Sequence, residues 1–201
     1  MAQTFNYLAL GDSYTIGESV KLGESFPYQT VQLLRRKGFS FQAPEIIAQT
    51  GWSTSELEEG IKTTTLLSKY DYISLLIGVN NQYRGRSVEE FKMDFENLLK
   101  KAMDLCNDKD HIFIISIPDY SATPFSTHLD KEKISREIDV FNSLSKVITI
   151  QYKVQYIDIT TDHRNCVNDP ALIAIDGLHP SSKEYKKWAA KLSEAIVLTM
   201  K

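Results

Sequence analysis

The sequence predicts an α/β protein in three layers, a parallel sheet covered by helices on both faces. Three observations predict it. Short β-rich apolar runs alternate with longer segments of helical spacing along the whole chain. Two of those runs, Tyr72 to Ile77 and Ile112 to Ile117, are almost continuously apolar, as strands buried on both faces are. The 201 residues contain no linker, internal repeat or low-complexity stretch, so residues 1–201 read as a single domain with a sizeable core.

The elements follow in order. The first strand spans Phe5 to Leu10 and the second Ala43 to Ala48. Between them Pro27 suits the first turn of a helix that runs to about Lys37 and is closed by Gly38. A weakly patterned helix over Ser53 to Lys69 leads to the third strand, Tyr72 to Ile77. After Ser87, apolar residues recur at three- and four-residue steps (Val88, Phe91, Phe95, Leu98, Leu99, Ala102), with Ser87 and Glu90 as a capping box. The fourth strand is Ile112 to Ile117. Ile134, Ile138, Phe141, Leu144 and Ile148 stripe the next helix, and Val154 to Ile159 is the fifth strand. Pro180 and a Ser181-to-Glu184 capping box open the last helix, with Tyr185, Trp188, Leu192 and Ile196 on one face. Pro118 to Asp130 and Thr160 to Ala174 read as long irregular segments at the carboxyl edge of the sheet. Right-handed crossovers leave few topologies, and the flavodoxin-like strand order 2-1-3-4-5 is the expectation. In such a sheet the residues just after strands 1, 2 and 3 meet where ligands bind.

Composition excludes several classes. Lys plus Arg is 23 and Asp plus Glu is 26, a net charge of −3, so no basic footprint for nucleic acid is present. No apolar run is long enough for a membrane span, so no stable membrane insertion is expected. Met1 to Phe5 lacks the charged start of a signal peptide, and a cytoplasmic chain is the expectation as written, an exported protein shorn of its signal being the alternative. Cys106 and Cys166 form no CxxC pair; a reduced chain is the simpler reading, with one bridge between them the alternative. Oligomeric state leaves no mark in the sequence.

Four segments carry chemistry. Gly11-Asp12-Ser13-Tyr14 follows strand 1, Gly51-Trp52-Ser53 follows strand 2, Gly78-Val79-Asn80-Asn81 follows strand 3, and Asp176-Gly177-Leu178-His179-Pro180 precedes the last helix. Acyl transfer needs such parts. A serine hydroxyl is a weak nucleophile until a base takes its proton. Histidine is that base near neutral pH, and a carboxylate fixes its tautomer. Preorganised N–H donors must then meet the oxyanion. Ser13 offers the hydroxyl and a backbone N–H at the start of a turn or helix. Gly51 offers a second N–H, and Asn80 a side-chain amide. Asp176 and His179, three residues apart, can meet within one turn.

The chain resembles the GDSL, or SGNH, hydrolases, on these four ordered blocks from Gly11 to Pro180. The resemblance implies that Ser13 is the nucleophile, that Gly51 and Asn80 are oxyanion donors, and that Asp176 and His179 complete the catalytic set. It implies a serine ester hydrolase acting on a small-molecule ester through an acyl-enzyme, with no cofactor and no metal. Two positions depart from the family pattern: Tyr14 stands where leucine is common, and Asn81 where aspartate is usual, which bears on the hydrogen bonding around Asn80. The chain is too short for a large lid, which favours small acyl groups such as acetyl. A lysophospholipase or thioesterase, an acyltransferase on the same site, and a flavodoxin-like binding module without chemistry are the alternatives.

Each block also has a plainer reading: Asp12 and Ser13 as a helix cap, Gly51 as a turn glycine, Asn80 as a loop residue, His179 as a helix lead-in. His111, His128 and His163 show no ligand spacing and read as surface or structural, with a metal role for Asp158, Asp162 and His163 the weaker alternative. Neither cysteine looks like a nucleophile. The Walker A, G-x-G-x-x-G and G-x-S-x-G patterns are absent. Tyr83, Tyr120 and Phe125 are candidate pocket residues, with exposed loop aromatics the equal alternative.

Overall fold

Strands and helices alternate as the periodicity requires, and the computed structural model describes residues 3–200. Five parallel strands form the sheet: β2 (Tyr7–Gly11), β4 (Glu45–Ala48), β5 (Tyr72–Leu76), β6 (Ile112–Ile115) and β7 (Gln155–Ile157), in the order β4-β2-β5-β6-β7. This is the expected order 2-1-3-4-5. A separate two-residue pair, β1 (Thr4–Phe5) with β3 (Ser40–Phe41), flanks it. The expected first strand, Phe5 to Leu10, is thus broken at Asn6. There the backbone turns aside: Asn6 N–H donates to the Asp71 carboxylate at 2.8 Å, and its carbonyl accepts from Asp71 and Tyr72.

Every residue of β2, β5 and β6 is buried, as continuous apolar runs demand. Helix α2 (Phe26–Arg36) packs on α8 (Ser182–Thr199), while α5 (Val88–Leu105) packs on α3 (Thr54–Thr63) and α6 (Lys131–Tyr152). Right-handed crossovers put the first pair on one face of the sheet and the other three on the opposite face. The apolar stripes explain this. Phe91, Phe95, Leu98, Leu99 and Ala102 of α5 are all buried, as are Tyr185, Trp188, Leu192 and Ile196 of α8. Burying one such Phe or Leu contributes about 1.5–3 kcal/mol, so each stripe is enough to fix its helix.

The ends differ from expectation in instructive ways. The helix expected over Ser53 to Lys69 stops at Thr63, where three successive threonines give way to extended backbone at Thr64. At its start Ser53 donates both its N–H and its hydroxyl to the Glu56 carboxylate, each at 2.7 Å. At Ser87 only half of the expected box forms: Glu90 N–H donates to Ser87 Oγ at 3.1 Å, while the Glu90 carboxylate pairs with Arg86. At Ser181 the Glu184 side chain turns into the core instead and accepts from Trp188 Nε1 at 3.0 Å. The two irregular segments hold short turns: 3₁₀ turns at Tyr120–Ala122 and Pro124–His128, then α7 (Thr160–His163) and 3₁₀ turns at Arg164–Asn168 and Pro170–Leu172.

Candidate active site

Two four- to five-residue helices that the apolar pattern does not predict build one side of the site. Strand β2 ends at Gly11, and Asp12 turns the chain into α1 (Ser13–Ile16). The Asp12 carboxylate accepts the Tyr14 N–H at 3.0 Å, the ordinary N-cap bond. Ser13 therefore opens a helix, where backbone N–H groups have no partner within the helix. Asp12 is fully buried. Burial pushes its carboxyl up to about 7, against the Tyr14 N–H bond that pulls the other way.

The last block folds as a tight turn. Ala174 N–H donates to the His179 carbonyl at 2.8 Å, and Ser181 N–H donates to the Leu172 carbonyl at 2.8 Å. Asp176 Oδ1 accepts the backbone N–H groups of Leu178 and His179 at 2.9 and 3.0 Å. Its other oxygen, Oδ2, lies 2.6 Å from His179 Nδ1. On the far side of the ring, His179 Nε2 lies 2.9 Å from Ser13 Oγ. A carboxylate at Nδ1 fixes the proton there, which leaves Nε2 to accept from the Ser13 hydroxyl. Burial acts to raise the Asp176 carboxyl, but hydrogen bonds from Ser19, Leu178 and His179 outweigh it and hold the group well below the usual carboxylate range. The Tyr14 ring stands edge-on to the His179 imidazole, centroids 5.4 Å apart, and packs against Trp188.

The other two blocks meet beside this line. Gly51 turns the chain after β4 with φ +84°, a backbone that residues with a side chain rarely adopt. Gly78 does so after β5 with φ +127°, and a Cβ there would lie 2.7 Å from the side chains of Ile117 and Phe91. Asn80, in α4 (Val79–Tyr83), donates one amide proton to the Trp52 carbonyl at 2.9 Å, and the amide has a second. Arg84 pins the glycine turn from behind, donating to the Gly51 carbonyl at 2.6 Å and to Glu56 at 2.7 Å. Asn81 fills the place of the usual aspartate without loss: its Oδ1 accepts Thr54 N–H at 3.1 Å and its Nδ2 donates to Thr54 Oγ1 at 2.7 Å, whose own proton goes to Asp94 at 2.8 Å. An amide can serve there because threonine supplies an N–H to accept and an oxygen to donate to.

A cavity of ≈ 140 Å³ opens beside Ser13, Asn80 and His179 and is walled by Tyr14, Val79, Tyr83, Tyr120, Phe125 and Leu178. The candidate pocket aromatics Tyr83, Tyr120 and Phe125 form a triangle with centroids 6.2 Å apart on every side. Phe125 N–H donates to the Gly177 carbonyl at 2.9 Å, and Arg164 holds Asp119 at 2.8 Å beneath Tyr120. Of the five site residues the sequence indicates, Ser13, Asn80, Asp176 and His179 converge. Gly51 adjoins them through Trp52 but is not among the residues lining the cavity. Val79, Leu178 and Ser19 are the contributors the sequence reading missed; nothing in their spacing marks them.

The remaining titratable groups lie elsewhere. His111 stacks on Tyr72 with centroids 4.5 Å apart, and His128 is exposed. Asp158 caps α7 through Thr161, and Asp162 pairs with Lys191 at 2.7 Å, so neither faces His163 as a ligand set would. His163 instead points inward, 3.5 Å from both Cys166 Sγ and Glu184 Oε1. Those three buried groups offer ligand atoms within 4.8 Å of one another, while Trp188 Nε1 donates to Glu184 Oε1 at 3.0 Å and Lys187 Nζ lies 2.9 Å from Oε2. Both cysteines are free, and burial pushes the Cys106 thiol up to about 11 and the Cys166 thiol up to about 12. No helix among the described residues is long and apolar enough to cross a membrane.

Three layers with hydroxyl, imidazole and carboxylate in line at the sheet's carboxyl edge define a class, the ester-hydrolysing enzymes of the α/β/α kind. The comparisons with known proteins narrow it. The sequence model of the GDSL-like lipase/acylhydrolase family matches residues 9–187, and the chain belongs to that family. No curated protein matches in sequence. Solved structures share the fold at low identity. An acetylxylan esterase from Geobacillus stearothermophilus superposes with a TM-score of 0.76 at 19% identity, over 96% of this chain and 94% of that one. A lipase/acylhydrolase from Enterococcus faecalis gives 0.76 at 16%, over 96% and 95%. A psychrotrophic esterase from Pseudoalteromonas sp. gives 0.70 at 15%, over 97% of each.

Proposed function

We propose that the chain, as one domain, is a cofactor-independent serine esterase for short acyl groups, and that Ser13, His179 and Asp176 carry the reaction. The observation that supports this most is the unbroken line from Ser13 Oγ to His179 Nε2 (2.9 Å) and from His179 Nδ1 to Asp176 Oδ2 (2.6 Å). Ser13 Oγ attacks the ester carbonyl as its proton passes to Nε2. The carbonyl oxygen becomes an oxyanion, met by the Ser13 N–H and the free proton of the Asn80 amide, with Gly51 N–H as a third donor once substrate is bound. Each such donor is worth about 3–4 kcal/mol in the transition state. The imidazolium gives its proton to the departing alcohol. Water, deprotonated by His179, then attacks the acyl-enzyme, and the carboxylic acid leaves with Ser13 restored.

Short acyl groups are favoured because the cavity beside Ser13 is only ≈ 140 Å³ and is walled in part by three aromatic rings. A space of roughly 150 Å³ holds about one benzene molecule. The names of the structural neighbours, acetylxylan esterase among them, agree with an acetyl group and suggest a sugar as the alcohol part. A series of 4-nitrophenyl esters from acetate to octanoate tests the reading. Turnover is expected to be fastest for acetate or propionate and to vanish in Ser13→Ala. Full turnover in Ser13→Ala, or a rate that climbs to octanoate, contradicts it.

A further inference from the structure

We propose that Ser19 is a positioning residue for this reaction, a hydroxyl that locks the Asp176 carboxylate to the helix carrying the nucleophile. The proposal rests on the esterase reading above and goes beyond it.

Ser19 Oγ donates to Asp176 Oδ2 at 2.5 Å, the same oxygen that faces His179 Nδ1. Asp176 Oδ1 is already occupied by two backbone N–H groups. The carboxylate therefore has four donors, and Ser19 is the only side chain besides His179 among them. Its backbone is unusual. Among the described residues just two non-glycine residues have positive φ, Ser19 at 64° and Lys153 at 57°. Lys153 ends α6, where a left-handed residue is an ordinary way to close a helix. Ser19 closes no helix, since Gly17 already caps α1. Ser19 instead stands third in a turn that Val20 N–H closes on the Gly17 carbonyl at 3.2 Å, a place that takes a left-handed residue, and what marks it is the carboxylate its hydroxyl reaches.

The turn that sets this backbone also fixes where the hydroxyl can reach. The carbonyl of Ser13 accepts N–H groups from both Gly17 and Glu18, at 3.2 and 3.0 Å, and Glu18 in turn takes a hydrogen bond from Thr50. The loop after α1 is thus folded back onto the nucleophile's own backbone. The left-handed turn at Ser19 then aims its hydroxyl at Asp176. The result is a closed circuit: Ser13 Oγ to His179, His179 to Asp176, Asp176 to Ser19, and the Ser19 loop back to the Ser13 carbonyl. Ser19 is exposed, so water could donate to Asp176 in its place. Water would satisfy the charge without fixing where the carboxylate sits relative to Ser13. Two effects of the hydroxyl follow. It holds Oδ2 in register with Nδ1, and by sharing the negative charge it weakens the pull of Asp176 on the His179 proton.

Ser19→Gly separates function from fold, because glycine adopts a positive φ without strain. Relative to wild type, its thermal midpoint should be equal or higher. Its kcat on 4-nitrophenyl acetate should fall by about tenfold, as expected for one charge-assisted hydrogen bond. KM should hold, and the acidic limb of the kcat profile should move to higher pH, since an unshared Asp176 charge raises the proton affinity of His179. Ser19→Ala should show the same kinetics with a lower midpoint. An NMR titration of the His179 ring reads the same shift without substrate. If Ser19→Gly keeps wild-type kcat and an unmoved limb, or the His179 titration is unchanged, the positioning role is wrong while the esterase reading stands. If wild type itself neither turns over esters nor reacts with a fluorophosphonate, the esterase reading fails and takes this proposal with it.

Discussion

Two places in this molecule bring together a nucleophile, an imidazole and a carboxylate, and their geometry separates a reacting line from a core contact. At the edge of the sheet Ser13 and Asp176 meet opposite nitrogens of His179. In the core beneath Trp188, Cys166 and Glu184 both crowd Nδ1 of His163, and Nε2 has no partner. His179 can take the Ser13 proton on Nε2 while Asp176 holds the proton on Nδ1 and steadies the imidazolium. His163 has both groups on one nitrogen and none on the other, so it cannot serve as base to one partner while the other orients it. Surroundings reinforce the contrast. Asp176 is held well below the usual carboxylate range beside a cavity, whereas burial pushes the Cys166 thiol up to about 12, so it stays protonated near neutral pH. The same three kinds of group become a candidate catalytic set only when the imidazole lies between its partners.

The strongest way to break this contrast is to remove each histidine in turn. His179→Ala should lower kcat by about 10⁵–10⁶-fold, the loss seen when a triad histidine is deleted. His163→Ala should leave kcat per folded molecule unchanged and lower the thermal midpoint by roughly 5 °C, the effect of a core truncation in a chain this size. Steady-state kinetics and calorimetry on both variants decide it; equal activity losses would erase the distinction. A smaller effect tests the donor side. Asn80→Ala should reduce kcat by about 10²–10³-fold with little change in KM, because its amide acts on charge that develops only in the transition state. A rise in KM alone would make Asn80 a substrate contact instead.

The smallest effect concerns Asp12, buried under the reacting line. Its folded carboxyl titrates at about 7, above the ordinary carboxylate value, so the folded protein keeps a proton that the unfolded chain releases. Its contribution to stability is therefore full below about pH 4 and is lost as pH rises towards 7. Asp12→Asn should flatten that part of the stability–pH curve, measured by urea unfolding at several pH values. An unchanged slope would mean that Asp12 is ionised in the fold.

The contrast also marks what a sequence can disclose. Strand order, the helix faces and four site blocks were legible because apolar spacing and turn residues report on backbone periodicity and on strand ends. The inward turn of His163 was not, since it depends on Glu184, twenty-one positions away, abandoning its capping role for Trp188. Nor was the stop of α3 at Thr63, nor the break at Asn6, where a distant Asp71 competes for the backbone. Ser19 was invisible because a left-handed serine leaves no pattern. Gly51 was legible as a turn, yet its distance from the cavity wall was not, because Arg84 sets how that turn is pinned.

The central claim is that Ser13 alone among the chain's hydroxyls and thiols is activated. Fluorophosphonate labelling at neutral pH, followed by peptide mass mapping, reads this directly. The account predicts one equivalent of adduct on the peptide bearing Ser13, none on Cys166, and no labelling of the Ser13→Ala or His179→Ala chains. An adduct on any other residue, or labelling that survives the loss of His179, would contradict it.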